Sequence, residues 1–206
     1  NRIDISGVTL TNNALVNQAL DETKKLQHIV LPRSLEILGT KCFQGSGIRT
    51  IEIPTTNLKT ISESCFAWCT ALTELNIPEG VETLGSTSLV FCTSLKKLTL
   101  PTTLTLIKSN AILGNLGFDP WIHEIPLQEI HAKMATVPTV ENSGLWLSAD
   151  RKAKCVLYVP VGTTAAYRAN VSGASGFGTI ANIIEPTPDY GMETPVILSP
   201  APAGYD

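Results

Sequence analysis

Charge is scarce in this chain of 206 residues. Asp, Glu, Lys and Arg make up 16% of it, and the formal net charge is −3. Phosphate binding needs clustered Lys and Arg, so nucleic acid is excluded as a partner. A polybasic patch for a membrane surface is missing too. Apolar residues reach 43%, yet they come in runs of only a few. A membrane span needs about 20 in succession, so direct membrane insertion is not expected. There is no initiator Met and no signal-peptide pattern at Asn1. The chain therefore reads as an excised or processed piece, and targeting signals assign it no compartment.

The usual carriers of chemistry are missing in the same way. No P-loop and no dinucleotide fingerprint occurs, and the scattered glycines sit at turns. Ser175, within GASG, lacks the flanks of a hydrolase elbow. His28, His123 and His131 form no cluster, and Cys65-x-x-x-Cys69 has no second ligand pair, which argues against zinc. Asn170-Val-Ser172 matches a glycosylation acceptor, a motif too short to carry weight alone. No catalytic, cofactor-binding or metal-binding residue is assigned, no cofactor is expected, and the chain reads as a non-enzyme.

What is present is a period. Pro32, Pro54, Pro78 and Pro101 each close a segment of the form apolar-x-x-apolar-x-apolar-Pro: LQHIVLP, IRTIEIP, LTELNIP and LKKLTLP. The residues opening each unit, Leu20, Phe43, Phe66, Leu89 and Ile112, follow one another at steps of 23. One position earlier stand small residues, Ala19, Cys42, Cys65, Ser88 and Ala111. Three positions later stand Thr23, Ser46, Cys69, Cys92 and Asn115, small and able to hydrogen-bond. A weaker apolar pair follows each proline: Leu35 and Leu38, Leu58 and Ile61, Val81 and Leu84, Leu104 and Ile107. The second unit is a residue short before its proline and a residue long after it, so its total is restored. Each unit must stack on its neighbours, and compensation of this kind follows. The alternation predicts a short strand with inward leucines, ended by a proline that removes a backbone donor. Stacked at roughly 4.8 Å per strand, such units build a parallel sheet over one continuous core. The other half-unit has room for turns, short strands or one-turn helices.

At these residues the chain resembles the BspA-like leucine-rich-repeat family, whose unit looks like A-F-x-x-C-x-x-L-x-x-I-x-I-P-x-x-V-x-x-I-G. CFAWCTALTELNIPEGVETLG, from Cys65, matches it, and SLVFCTSLKKLTLPTTLTLIK, from Ser88, matches it more loosely. LQEIHAKMATVPTV, from Leu127, is similar to the family's last strand, and CVLYVPVGTTAAYRAN with IANIIE, up to Glu185, to its closing cap. The resemblance implies a leucine-rich-repeat solenoid, α/β by the convention of that class but strand-rich with little helix. About five 23-residue repeats would form a parallel concave sheet between terminal caps. It also implies adhesion and protein contact in an extracellular or cell-surface bacterial protein, with no activity of its own. The departures are an insertion of about nine residues between Ile112 and Leu127 and the Gly-rich VSGASGFG in the cap.

The expected division is an N-terminal cap or partial repeat over 1–19, repeats over 20–140 with an insertion at 114–126, a cap over 141–185 and a Pro-rich tail or linker over 186–206. A capping helix is expected to begin after Thr11 or Asn12. A short helix is expected to start near Thr163 or Thr164, and one added strand at Val196 to Leu198. The Cys columns alternate with Ser, Thr, Asn and Ala, so five free, buried thiols are expected. Trp68 and Phe91 share a column with Glu22, Gly45 and Gly114. Adjacent rungs bring the two rings into contact, either as a wedge under the outer loops or as an exposed aromatic patch.

The outward strand positions form a grid. One column is His28, Thr50, Glu74, Lys97 and Glu129; its partner is Val30, Glu52, Asn76, Thr99 and His131. With Phe118 and Trp121 of the insertion, the candidate binding surface comprises Thr50, Glu52, Glu74, Asn76, Lys97, Thr99, Glu129 and His131. Such a mixed polar face suits a host or neighbouring-cell protein, with a monomeric chain expected. A carbohydrate-binding module, with Trp68, Phe91, Phe118 and Trp121 stacking on sugars, is the alternative. A passive spacer within a larger surface protein is a third reading.

Overall fold

The computed structural model describes residues 1–113, 124–172 and 175–186. Phe118, Trp121 and His123 lie outside the described residues, as does the strand expected at Val196 to Leu198. The chain winds as a strand-rich solenoid, as the resemblance implied. Six successive coils, from Arg2–Asp4 to Glu129–Ala132, each give one short strand to a concave face and a two-residue strand to a second sheet, with tight turns or short strands on the third side.

On the concave face the inward residues stand in register. Leu75 lies opposite Leu98, Leu98 opposite Ile130, Ile130 opposite Leu157 and Leu157 opposite Ile183. The second sheet stacks Leu15, Leu38, Ile61, Leu84, Ile107 and Val140 in one column. The middle four of these are fully buried, and the two end residues are half-buried. On the third side Phe43 and Phe66 stack with ring centroids 5.4 Å apart and planes 7° apart. There the rungs are tied by the backbone: Phe43 N–H donates to Cys65 O (2.8 Å) and Phe66 N–H to Ser88 O (2.9 Å). Each buried side chain of this size contributes about 1.5–3 kcal/mol, but only while a neighbouring coil covers it.

The small columns do what their composition suggests. Cys69 Sγ donates to Phe43 O at 3.0 Å and Cys92 Sγ to Phe66 O at 3.1 Å, each reaching back to the previous rung. Ser46, in the same column, is buried 3.5 Å from the Cys69 sulfur. All five cysteines are free and buried.

Three features differ from the sequence reading or exceed it. The helix expected after Thr11 is a single 3-10 turn, Thr11–Asn13, followed by the strand Ala14–Leu15. Asn12 and Asn13 adopt left-handed backbone there (φ 54° and 51°), which ends any helix. The concave strands run beyond the five matched units: Arg2–Asp4 pairs with His28–Val30 at one end, while Val156–Tyr158 and Asn182–Ile184 extend the other. A helix over Ala149–Lys154, capped by Ser148, was not foreseen. The expected second helix spans Thr164–Ala169. Glu185 accepts from the N–H and hydroxyl of Thr164, and these bonds hold its carboxyl down at about pKa 2. Tyr167 reaches under the cap to donate to Met134 O at 2.8 Å, edge-on to Phe177.

The length compensation has a place in space. Ile51 to Leu75 is a step of 24, where Leu75 to Leu98 is 23. At that step the concave ladder is interrupted: among the described residues, no strand pairing joins Thr50–Glu52 to Glu74–Asn76. The extra residue after Pro54 is absorbed inward, with Thr55 buried and its hydroxyl donating to Leu35 O at 2.8 Å.

Two predictions follow from this packing. Burial pushes Cys42, Cys69 and Cys155 up to about 12, and Cys65 and Cys92 well above the ordinary 9.0. Unfolded thiols lose their protons first, so stability should fall as pH rises from about 9 towards 12, by roughly 1 kcal/mol per thiol at pH 10. Denaturation midpoints at pH 7.5 and 10 should differ less in Cys65→Ser/Cys69→Ser than in the parent; equal losses would refute burial as the cause. In native protein the thiols should resist a disulfide reagent at pH 8, and all five should react in denaturant.

The second prediction concerns the closing rungs. Removing residues after Ala153 strips Leu157 and Val159, both buried, from the Ile130 rung. The shortened chain should aggregate or lose cooperative unfolding by calorimetry. A monomer with an unchanged midpoint would show that these residues close nothing.

Candidate binding surface

The outward grid expected from the sequence is present on the concave face. His28 lies opposite Thr50, Glu74 opposite Lys97 and Lys97 opposite Glu129; in the partner column Asn76 faces Thr99 and Thr99 faces His131. Strand geometry puts alternate side chains on one face, so this register turns both columns towards solvent while the leucines point inward. Val30 is the exception among the outward positions, being buried.

The grid is not flat. Thr50, Glu74, Asn76, Lys97, Thr99 and His131 line a cleft of about 460 Å³ together with Ile51, Leu75 and Lys133. Its lining runs from the Thr50–Glu52 strand across the interrupted step to the strand Glu129–Ala132. Ile51 is half-buried there, whereas its column neighbours Ile29 and Leu75 are buried. Glu52 and Glu129, the other two grid residues of the candidate surface, flank the cleft, each beside a histidine. His28 Nε2 is 3.4 Å from Glu52, and His28 Nδ1 hydrogen-bonds the Thr50 hydroxyl. Glu129 lies 2.9 Å from His131 and 3.7 Å from Lys97, and the His131 hydrogen bond, aided by Lys97, holds its carboxyl below the ordinary carboxylate range. Pairs this exposed add little stability; they fix where each charge points.

Three residues of this surface were missed from sequence. Lys133 lines the cleft and lies 3.8 Å from Glu79. It follows Ala132, which pairs with Leu100, so it takes the place that Pro101 holds one rung earlier. The missing proline was a legible signal. Tyr158 continues the His131 column and stacks on its ring at 4.5 Å. Ile51, on an inward strand position, is half-buried and lines the cleft as well.

Elsewhere, Trp68 and Phe91 stack on the outer turns with centroids 4.0 Å apart. Leu113, the last described residue before the insertion, packs there with Ala67 and Val90, and Phe91 and Trp146 pack against them. The return from the insertion, at Glu124, accepts from Ser148 N–H at 3.0 Å and leads into the concave strand Glu129–Ala132. Among the described residues no group of His, Cys, Asp and Glu side chains is arranged to hold a metal, and no helix is long and apolar enough to cross a membrane.

The profile of the BspA type leucine rich repeat region matches residues 3–117, in six copies. No curated protein sequence matches the chain. Among solved structures, the chain is similar to the pneumococcal vaccine antigen PcpA at 20% identity and a TM-score of 0.64, over 90% of this chain and 41% of that one. A leucine rich cell surface protein from Faecalibacterium prausnitzii is similar at 21% identity and a TM-score of 0.52, over 64% of this chain and 31% of the other. A leucine rich repeat protein of T. pallidum shares 18% identity and a TM-score of 0.52, with 69% of each chain covered. At these identities the likeness is one of fold. The chain spans about a third of the length of the F. prausnitzii protein and two fifths of that of PcpA.

The cleft makes a stability prediction. Leu75→Ala should cost about 2–5 kcal/mol, as fully buried leucines do. Ile51→Ala should cost clearly less, because its side chain already meets solvent at the seam. Urea denaturation of both variants checks this, and an equal cost would mean the cleft floor is closed in solution.

Proposed function

The chain belongs to the BspA-type leucine-rich-repeat family, and from that membership we propose that it is a non-enzymatic protein-binding module of a secreted or cell-surface bacterial protein. The observation that carries the reading is the concave cleft: an apolar floor at Ile51 and Leu75 ringed by Thr50, Glu74, Asn76, Lys97, Thr99, His131 and Lys133. Protein interfaces are centred on such places, where one partner side chain is desolvated and a polar rim excludes water. The rim carries both signs of charge, Glu74 beside Lys97 and Lys133, which selects a partner by charge pattern rather than by overall field. A surface location is supported by the cell-surface protein of F. prausnitzii and the pneumococcal antigen, whose folds this chain shares. Phe118 and Trp121 extend the proposed surface because the repeat does not require the segment that carries them, and inserted loops often hold specificity.

The test is a binding screen of the whole chain against host-matrix and bacterial surface proteins by biolayer interferometry. For any protein captured, Glu74→Lys and Ile51→Asp should each weaken binding at least tenfold. Trp121→Ala should do the same, with a thermal midpoint close to the parent's. Binding indifferent to the concave variants would move the site elsewhere. Silence across the screen would favour a spacer.

A further inference from the structure

The charges that line the concave cleft are unequally engaged. Glu74, Lys97 and Glu129 stand in one column on consecutive rungs, with Lys97 between the two carboxylates. Its ammonium goes to the far one, 3.7 Å from Glu129. Lys133, the other ammonium of the lining, lies 3.8 Å from Glu79. His131 bonds Glu129 and stacks on Tyr158. Among the described residues Glu74 forms no ion pair and no hydrogen bond through its side chain. The cations of the cleft thus have carboxylate partners, while its one carboxylate has no cation.

The uncharged polar groups beside Glu74 are free as well. Asn76 follows it two residues along the strand and on the same outward face, ~6.6 Å away. Thr99 stands opposite Asn76 on the next rung. Neither side chain hydrogen-bonds another among the described residues. The Thr50 hydroxyl, by contrast, is taken up by His28. Three unengaged acceptors, a carboxylate, an amide oxygen and a hydroxyl, therefore line one cleft over an apolar floor at Ile51 and Leu75.

Granted the protein-binding reading of this cleft, on which the assignment rests, we infer that it receives an arginine side chain of the partner protein. The aliphatic stem of an arginine covers apolar surface while its head stays polar, and here the stem would lie on Ile51 and Leu75. The guanidinium is a planar fork of five N–H donors that matches a carboxylate in bidentate fashion. It would pair with Glu74 and donate to the Asn76 amide oxygen and the Thr99 hydroxyl. A partner carboxylate would instead compete with Glu129 and Glu79 for lysines that they already hold. A purely aliphatic side chain would cover Ile51 but strip water from an unpaired Glu74, which is costly.

The test follows backbone amide shifts by NMR in the whole, isotope-labelled chain. The probes are acetylated, amidated pentapeptides with glycine around a central arginine, citrulline, lysine or glutamate. The arginine peptide should shift the amides of Ile51, Glu74 and Asn76 in a saturable way, and the lysine peptide should bind at least threefold more weakly. Citrulline, nearly the same shape without the charge, and glutamate should leave these amides unmoved. Glu74→Gln should weaken arginine binding at least tenfold without lowering the thermal midpoint. An arginine peptide silent at the cleft, shifts that survive Glu74→Gln, or lysine or glutamate binding as tightly would each overturn the assignment. A captured protein separates the two readings. Binding weakened by Ile51→Asp but not by Glu74→Gln would keep the cleft and remove the arginine, whereas binding weakened by neither would remove the concave site itself.

Discussion

No coil of this chain can bury its own leucines. A unit of 23 residues has an apolar face and nothing within itself to set against it, so stability exists only between rungs. That constraint explains the uniform inward columns on all three sides. It also explains why the small column must stay small: Cys69 and Cys92 reach the carbonyls of Phe43 and Phe66 from inside a packed stack. A backbone that turns this tightly needs left-handed residues on its outer side, and these recur with the same period as the leucines.

The same constraint makes every change of length a local structural event. One residue lost before Pro54 and one gained after it keep the second unit in step with its neighbours. Thr55 is drawn into the interior to satisfy Leu35 O, and the concave ladder opens between Thr50–Glu52 and Glu74–Asn76. The cleft draws its lining from both sides of that step and from the two rungs beyond it.

Most of this was legible because periodicity is a long-range signal that five units repeat. The inward columns, the grid register from Glu74 to His131 and the free thiols follow from spacing alone. The ends were less legible. The strands Arg2–Asp4 and Asn182–Ile184, each paired on one side among the described residues, match the repeat pattern poorly. The segment after Thr11 has the spacing of a helix, and two left-handed asparagines override it. The cleft was hidden for another reason: columns show which side chains face outward, but not how deep the space between them runs.

Function should be sought where residues are free of the packing constraint. The concave columns are free of it: Lys97, Glu129 and His131 are held by one another and not by the core, so their identities could change without loss of fold. The inward columns leave these positions open to change, so the chemistry of the concave face can vary while the stacking of rung on rung keeps the fold.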